Sequence, residues 1–460
     1  MCEGPAARHL SVSARLRRLR EYEAARAGPI ALAELLFVPA LAGDLWGIRS
    51  SVTTLVTDDV EPDGQVRVYV QQMPSAVRGI EERHWSVALA SGWRVAALDA
   101  SQDLLVVRDI SVRPTVLRLL SLSTGERHPS LSGTGDLFDS TYGGIENAVV
   151  FGEYCAAMCG SKAAVCLVIW TWTTGATEIK IVRALCYSIR THHTHRVSTA
   201  PQPPPHSAPT FTLRSTFTFL SDTHIAILTC DPEALLVYAF HTDTHASGPA
   251  QPTVFELPNS APHGPAWLSP CSDVAGTQHA GFFHPVPAAR LLSVAFSVPL
   301  HQQSWFQRLE LAIPASTLLA RVPATEAVSW ALWGPKGCAL ARCYLGPEAP
   351  QGAGASAMRL VVQRGDGAMS DDGAPVCALA DYCCPRVARG TGGVLVEAFE
   401  TPESAGWLKA MRPYAVKEFS RPWGSEGDKQ HIIIVCEDQL IALEESSDGN
   451  SVAKAWACTV

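Results

Sequence analysis

From residue 44 onward the chain alternates between short apolar runs and punctuation by Gly, Pro, Asp, Ser or Asn. The densest run, Val165–Thr177 (VCLVIWTWTTGAT), is rich in β-branched and aromatic side chains and ends in a Thr-Gly turn. Such residues suit a pleated, buried surface, and an apolar run of this length bounded by Gly predicts a buried strand. Val66–Met73 alternates in part, as a half-buried strand does, and Trp93–Leu98, Leu104–Arg108 and Thr115–Leu122 follow at strand spacing. The last of these leads into Ser123-Thr124-Gly125-Glu126, an echo of Thr174-Gly175.

Longer stretches repeat the same order. Asn147–Val182 reads NAVVF, a turn at Gly152-Glu153, YCAAMCG, CLVIWTW, the Thr174-Gly175 turn and EIKIV. Thr216–Leu257 reads TFTFL, a turn at Ser221–His224, IAILTC, LLVYAF, a polar link and VFEL. Looser copies are Leu291–Ser297 with Trp305–Ile313, Val328–Leu345 with Met358–Arg364, and Ile432–Cys436 with Leu440–Glu444. The unit is strand, tight polar turn, strand, short loop, strand, Thr-Gly-like turn and fourth strand, at a spacing of roughly 40–60 residues; four strands near that period mark a β-propeller blade. The expected fold is therefore all-β: a degenerate, WD-repeat-like propeller over 40–446, with about six or seven blades and seven favoured. Radial repetition also protects strand edges. Two β-sandwiches in tandem, divided near 186–212 or 258–280, are the rival arrangement.

The flanks read differently. Ser11–Ala27 predicts a helix: Ser11 or Ser13 can cap it, Val12, Leu16, Leu19 and Tyr22 form a stripe, and Gly28-Pro29 stops it. A helix of this length is marginal alone, so the stripe is expected to pack, with the arginines solvated and paired to Glu. Residues 1–10 are expected to be a disordered N-terminus and 447–460 a C-terminal tail. Ser188–Thr210, rich in Pro and His, is expected to be a disordered loop inserted between blades.

Composition narrows the setting. A hydrophobic share of 47% against 17% charged residues describes a globular chain with a sizeable core. The net charge of −8 argues against broad nucleic-acid binding. The 14 cysteines contain no C-x-x-C, which favours small buried thiols. MCEGPAARHL has no signal-like apolar core, and Asn147, Asn259 and Asn450 all fail the glycosylation pattern. No apolar stretch reaches the ~20 residues that span a bilayer. An intracellular place, cytoplasmic or nuclear and away from membranes, is expected.

Candidate chemistry is thin. His192, His193 and His195 cluster on the Pro-rich loop, which supplies no fixed ligand geometry. Cys155 and Cys159 lack a partner His pair, and the adjacent Cys383-Cys384 forms no ligand framework. Gly352-Ala-Gly354 follows no βαβ strand, and no G-x-S-x-G or Walker-type sequence occurs. Asp58-Asp59 and Asp371-Asp372 are read as solvated turns. No catalytic, cofactor-binding or metal residue is assigned, no cofactor is expected, and the partner-binding residues are left unknown. Trp85, Trp93, Trp330 and Trp333 are read as core. Trp170 and Trp172 share one strand face, with Thr171 where WD blades carry Asp, so packing rather than a polar network is expected to hold this blade.

Three passages carry a family resemblance. They are RLRRLREYEAA in the helix, QQMPSAVRGIEER at 71–83, and the blade features Asp99-x-x-Gln102-Asp103-Leu-Leu-Val-Val, Leu119-x-Ser121-Leu-Ser-Thr-Gly125 and Val168-Ile-Trp-Thr-Trp-Thr-Thr-Gly175. From about residue 11 to 240 they resemble the part that follows the F-box in F-box proteins of mushroom-forming fungi. The resemblance implies a non-enzymatic protein-interaction module that recruits a protein substrate to a ubiquitin ligase. An F-box, which docks the Skp adaptor of a cullin ligase, opens with a Leu-Pro and acidic pattern. MCEGPAARHL has no counterpart to it, so the F-box is expected to be missing, and adaptor and cullin would bind only if one lies upstream. The alternatives are a propeller scaffold without ubiquitin connection, or a propeller hydrolase or lyase with titratable groups at the central channel.

Overall fold

The structure is a computed structural model. It describes residues 2–3, 10–27, 33–34, 41–42, 54–60, 65–72, 81–112, 115–133, 136–137, 144–160, 164–184, 216–230, 233–240, 251–258, 267–269, 283–284, 290–299 and 306–344. Towards the C-terminus it describes 355–356, 359–363, 377–381, 394–396, 414–419, 431–435, 439–445 and 451–459.

Among the described residues, strands form seven antiparallel sheets of three to five strands and one two-stranded pair. Sheet 1 holds Thr54–Val60, Val66–Gln72 and Arg83–Leu89. Sheet 2 holds Trp93–Asp99, Leu104–Asp109, Val116–Ser121 and Asp136–Leu137. Sheet 3 holds Gly144–Phe151, Tyr154–Gly160, Ala164–Thr171 and Ala176–Ala184, and sheet 4 Thr216–Ser221, His224–Cys230, Glu233–Ala239 and Thr253–Glu256. Sheet 5 combines Trp267–Ser269 with Leu291–Pro299, Phe306–Pro314 and Ala339–Tyr344. Sheet 6 runs from Ala355–Ser356 through Arg359–Gln363, Cys377–Asp381 and Tyr414–Phe419 to Val394–Val396. Sheet 7 holds His431–Val435, Gln439–Glu445 and Ser451–Thr459.

Sheets 1 to 5 pack face to face in succession, which explains the unbroken apolar runs. In Ala164–Thr171, Cys166, Val168 and Trp170 pack with Leu104, Val106, Leu117 and Leu119 of sheet 2. The alternate residues Leu167 and Ile169 pack with Phe217, Ile225, Ile227 and Leu236 of sheet 4. A strand buried on both faces has no polar face to alternate with. Leu105 and Val107 turn the other way, towards Val66, Val68 and Val70 of sheet 1, and a fourth core joins sheet 4 to sheet 5. Further along, Arg359–Gln363 lies beside both Ala339–Tyr344 and His431–Val435, and Leu41–Ala42 beside Thr54–Val60. The succession closes on itself, which is the arrangement of a β-propeller.

The two Thr-Gly turns are the same structure. Gly125 N–H donates to the Ser121 carbonyl and Gly175 N–H to the Thr171 carbonyl, each at 2.8 Å. Thr124 Oγ1 accepts from Glu126 N and Thr174 Oγ1 from Ala176 N, each at 3.2 Å. Both glycines have positive φ, +75° and +73°, where a Cβ is strained. Gly125 is also a close approach, since a Cβ there would sit 2.2 Å from Val87 Cγ1 of sheet 1.

Several expectations are corrected. Within the expected tail 447–460, Ser451–Thr459 pairs along Gln439–Glu445 as an interior strand of sheet 7. Ala33–Glu34 and Leu41–Ala42 also pair with Ser451–Thr459, so the sheet region starts before residue 40 and the two ends of the chain share a sheet. Cys2–Glu3, expected to be disordered, pairs with Phe283–His284. Asp58 and Asp59 lie in the strand Thr54–Val60 rather than in a turn. The loop 188–210 lies outside the described residues.

The helix content also differs from expectation. Helix α1, Val12–Ala27, begins with Ala14 N–H donating to Ser11 Oγ and carries Arg17–Glu21 and Arg18–Glu21 pairs. Its apolar stripe is not packed at its start: Val12 is 71% exposed and Leu16 45%. Two short helices, α2 at Ala315–Leu319 and α3 at Trp330–Gly337, lie between two strands of sheet 5; α3 takes the first part of the run Val328–Leu345, whose later part is the strand Ala339–Tyr344. Trp330 and Trp333 meet edge to face at 5.0 Å, as side chains three apart on one helix face can. Among the described residues no helix is long and apolar enough to cross a membrane.

Candidate functional site

The polar residues that the fold gathers lie at the joint between sheets 2 and 3. The turn after Trp93–Asp99 is a 3-10 helix, Ala100–Gln102, capped by Asp99. Asp99 Oδ1 accepts from Ser101 N at 2.9 Å and Ser101 Oγ at 2.6 Å, and Oδ2 accepts from Gln102 Nε2 at 2.7 Å. The same Gln102 amide donates to the Gly152 carbonyl of sheet 3 at 2.9 Å, and that carbonyl also accepts from Trp172 Nε1 at 2.9 Å. His128 stands edge-on to the Trp172 ring at 4.9 Å, with Nε2 3.0 Å from the Gln102 carbonyl oxygen.

This arrangement corrects the expectation of packing without a polar network. Trp170 and Trp172 are both buried in the core between sheets 2 and 3, but Trp172 is also hydrogen-bonded into a polar strut. Of these residues, Asp99, Gln102 and Trp172 stand in the motifs that carry the family resemblance, whereas His128 carries no local signal; its role arises only because the fold brings it to Trp172.

Burial pushes the Asp99 carboxyl above the usual carboxylate range, against the Ser101 and Gln102 donors that pull it down. A carboxyl raised on folding contributes stability that is fully present below its ordinary 3.8 and is lost as pH rises through the folded value. Asp99→Asn removes this term. The stability of the parent chain relative to Asp99→Asn is therefore expected to rise as pH is lowered from 7 towards 4, read as urea midpoints. Asp99→Ala leaves Ser101 and Gln102 donors without their acceptor and is expected to cost about 2 kcal/mol at pH 7. A midpoint difference between parent and Asp99→Asn that does not change with pH would contradict a raised carboxyl.

A second polar group sits at the opposite end of sheet 2. Arg118 binds Asp109 Oδ2 at 2.9 Å and Asp136 Oδ1 at 3.0 Å, and its guanidinium lies 5.3 Å from the Trp93 ring centre. Burial raises the Asp109 pKa, but bonds from Ser111 and Arg118 and the Arg118 charge outweigh it and the net shift is downward. Between sheets 3, 4 and 5, buried Arg290 lies 4.0 Å from the Phe151 ring centre and donates to the Leu220 carbonyl.

The other candidates fall apart as sites. Cys155 and Cys159 are buried on one strand, and burial, with Cys159 nearby, pushes the Cys155 thiol up to about 12, which makes it inert. Among the described residues no three His, Cys, Asp or Glu side chains are placed to hold a metal. His192, His193, His195, Asp371, Asp372, Cys383, Cys384, Gly352 and Gly354 lie outside the described residues. Trp333 is fully buried, Trp85 and Trp330 are partly so, and Trp85 Nε1 donates to the Leu122 carbonyl.

No family model matches the sequence, and no curated protein matches it. Among solved structures the chain is similar to the WD40 domain of coronin from Toxoplasma gondii, at 8% identity and a TM-score of 0.45, covering 94% of this chain and 87% of that one. It is also similar to the β-propeller domain of the Trilobed protease from Pyrococcus furiosus, at 7% identity and a TM-score of 0.34, covering 91% and 94%. Prolyl oligopeptidase B from Galerina marginata matches at 8% identity and a TM-score of 0.26, over 57% of this chain and 30% of that one. The architecture itself rests on the order of the sheets and the four cores between them: the chain is a degenerate, WD-repeat-like β-propeller preceded by one helix.

Proposed function

We propose that this chain is a non-enzymatic protein-interaction module, the substrate-recognition part of an F-box-type ubiquitin ligase receptor. The observation that carries the reading is the division of labour within the sheets. Strand residues are spent on the cores between neighbouring sheets, which leaves loops and rims as the surface on which a protein substrate is held. Helix α1 supports the reading, with Val12 and Leu16 exposed and the Arg-rich sequence that resembles the helix after a fungal F-box. The working place is cytoplasmic or nuclear, and the partners are a protein substrate and, only if an F-box lies upstream, the Skp adaptor and cullin.

The test is affinity purification of two forms, the chain as it stands and the chain extended through the in-frame sequence upstream of Met1. The extended form is expected to bring down the Skp adaptor and the shorter form not to. Recovery of no adaptor with either form would overturn the ubiquitin-ligase reading.

A further inference from the structure

Two arginines of sheet 2 stand directly opposite each other. Arg94 and Arg108 are cross-strand partners, one residue in from the ends of Trp93–Asp99 and Leu104–Asp109, and both are half-buried. Directly opposed side chains have Cβ atoms roughly 5 Å apart, and like charges so placed repel. Neither arginine has an ion pair among the described residues: Arg94 Nη1 donates to the Trp93 carbonyl and Arg108 Nη1 to the Ile145 carbonyl. On the other face of the same sheet, at the same end, Arg118 has two carboxylates, Asp109 and Asp136. Among the described residues, one arginine is thus neutralised doubly and the two facing ones have no carboxylate partner.

The backbone around the pair is built to hold it. The ladder of sheet 2 breaks register between Val95 and Ala97, next to Arg94, and that of sheet 3 between Ile145 and Asn147, at the carbonyl that anchors Arg108. β-Bulges re-aim side chains and cluster beside functional sites. Each carbonyl engages one guanidinium nitrogen and fixes the fork, which leaves the remaining N–H groups to donate elsewhere. Two guanidinium groups on one face of neighbouring strands suit a carboxylate or phosphate, whose oxygens accept from such forks.

We propose that Arg94 and Arg108 form an oxyanion-binding site between sheets 2 and 3, for a ligand carrying a carboxylate or a phosphate. The proposal is independent of the ubiquitin-ligase reading, since it concerns an anion rather than an adaptor. It is tested by thermal unfolding of the full chain with inorganic phosphate and, separately, with glutarate, against sodium chloride at equal ionic strength. At least one of the two is expected to raise the parent's Tm by roughly 2 °C or more over chloride. Arg94→Gln and Arg108→Gln are each expected to lose that response, and Arg94→Gln to melt no lower than the parent in chloride, because one repelling charge is gone. A response to phosphate alone assigns a phosphate ligand and a response to glutarate alone a carboxylate. Equal melting in all three salts, or an anion response kept by both variants, would overturn the site. Should Arg108→Gln fail to fold, Arg94→Gln decides the question alone, since Arg94 bonds only to the carbonyl of its neighbour.

Discussion

Trp170→Ala is expected to destabilise the fold by ~3–5 kcal/mol, read from urea unfolding, because the ring is 2% exposed in the core between sheets 2 and 3. It packs there with Val106, Leu119, Ala157 and Val168, which have no room to close over the cavity that a lost indole leaves. A loss below about 1 kcal/mol would place the ring in solvent and contradict the face-to-face packing of these sheets. Trp172 separates packing from hydrogen bonding. Trp172→Phe keeps an aromatic ring beside His128 but removes the donor to the Gly152 carbonyl, so its expected cost is smaller, about 1 kcal/mol. Equal losses for Trp172→Phe and Trp170→Ala would mean that the polar strut matters as much as the core.

How far the sequence disclosed this structure depends on whether a feature is local. Val165–Thr177 was readable because a strand covered on both faces must be apolar at every position, and its turn must be Gly because φ is +73° at Gly175. The same logic identified Thr216–Leu257, whose strands also face a core on each side. The joining of the two chain ends in sheet 7 left no such mark, since Ala33–Glu34 and Ser451–Thr459 meet only through the closure of the whole succession. The short run WALW fits a strand or a helix by apolarity alone; the three-residue spacing of Trp330 and Trp333 was the helical signal. The strut from Asp99 through Gln102 to Gly152, Trp172 and His128, and the pairing of Arg94 with Arg108, are written in the fold rather than in any window of residues. Polar groups far apart in the chain have no periodicity to betray them.

Trp333→Ala tests whether the inserted helices belong to the propeller core, and is expected to cost ~3–5 kcal/mol. Trp333 is fully buried, meets Phe255 of sheet 4 edge to face at 5.5 Å, and donates from Nε1 to the Glu256 carbonyl at 3.0 Å. It shares a core with Leu235 and Val237 of sheet 4 and Leu292 and Leu311 of sheet 5. The segment leading into α3 also covers a strand edge: Val328 N–H donates to the Val254 carbonyl at 2.8 Å and Glu256 N–H to the Val328 carbonyl at 3.1 Å. An uncovered edge of Thr253–Glu256 would offer those groups to another chain. Loss of the Trp333 anchor is therefore expected to speed proteolysis between α2 and α3 as well as to lower the unfolding midpoint. Leu332→Ala, on the exposed side of the same helix at 69% exposure, is expected to change stability by less than about 0.5 kcal/mol. Similar losses from both substitutions would mean that α3 is held by its own helical propensity; a large difference means that one buried indole ties the insertion to sheets 4 and 5.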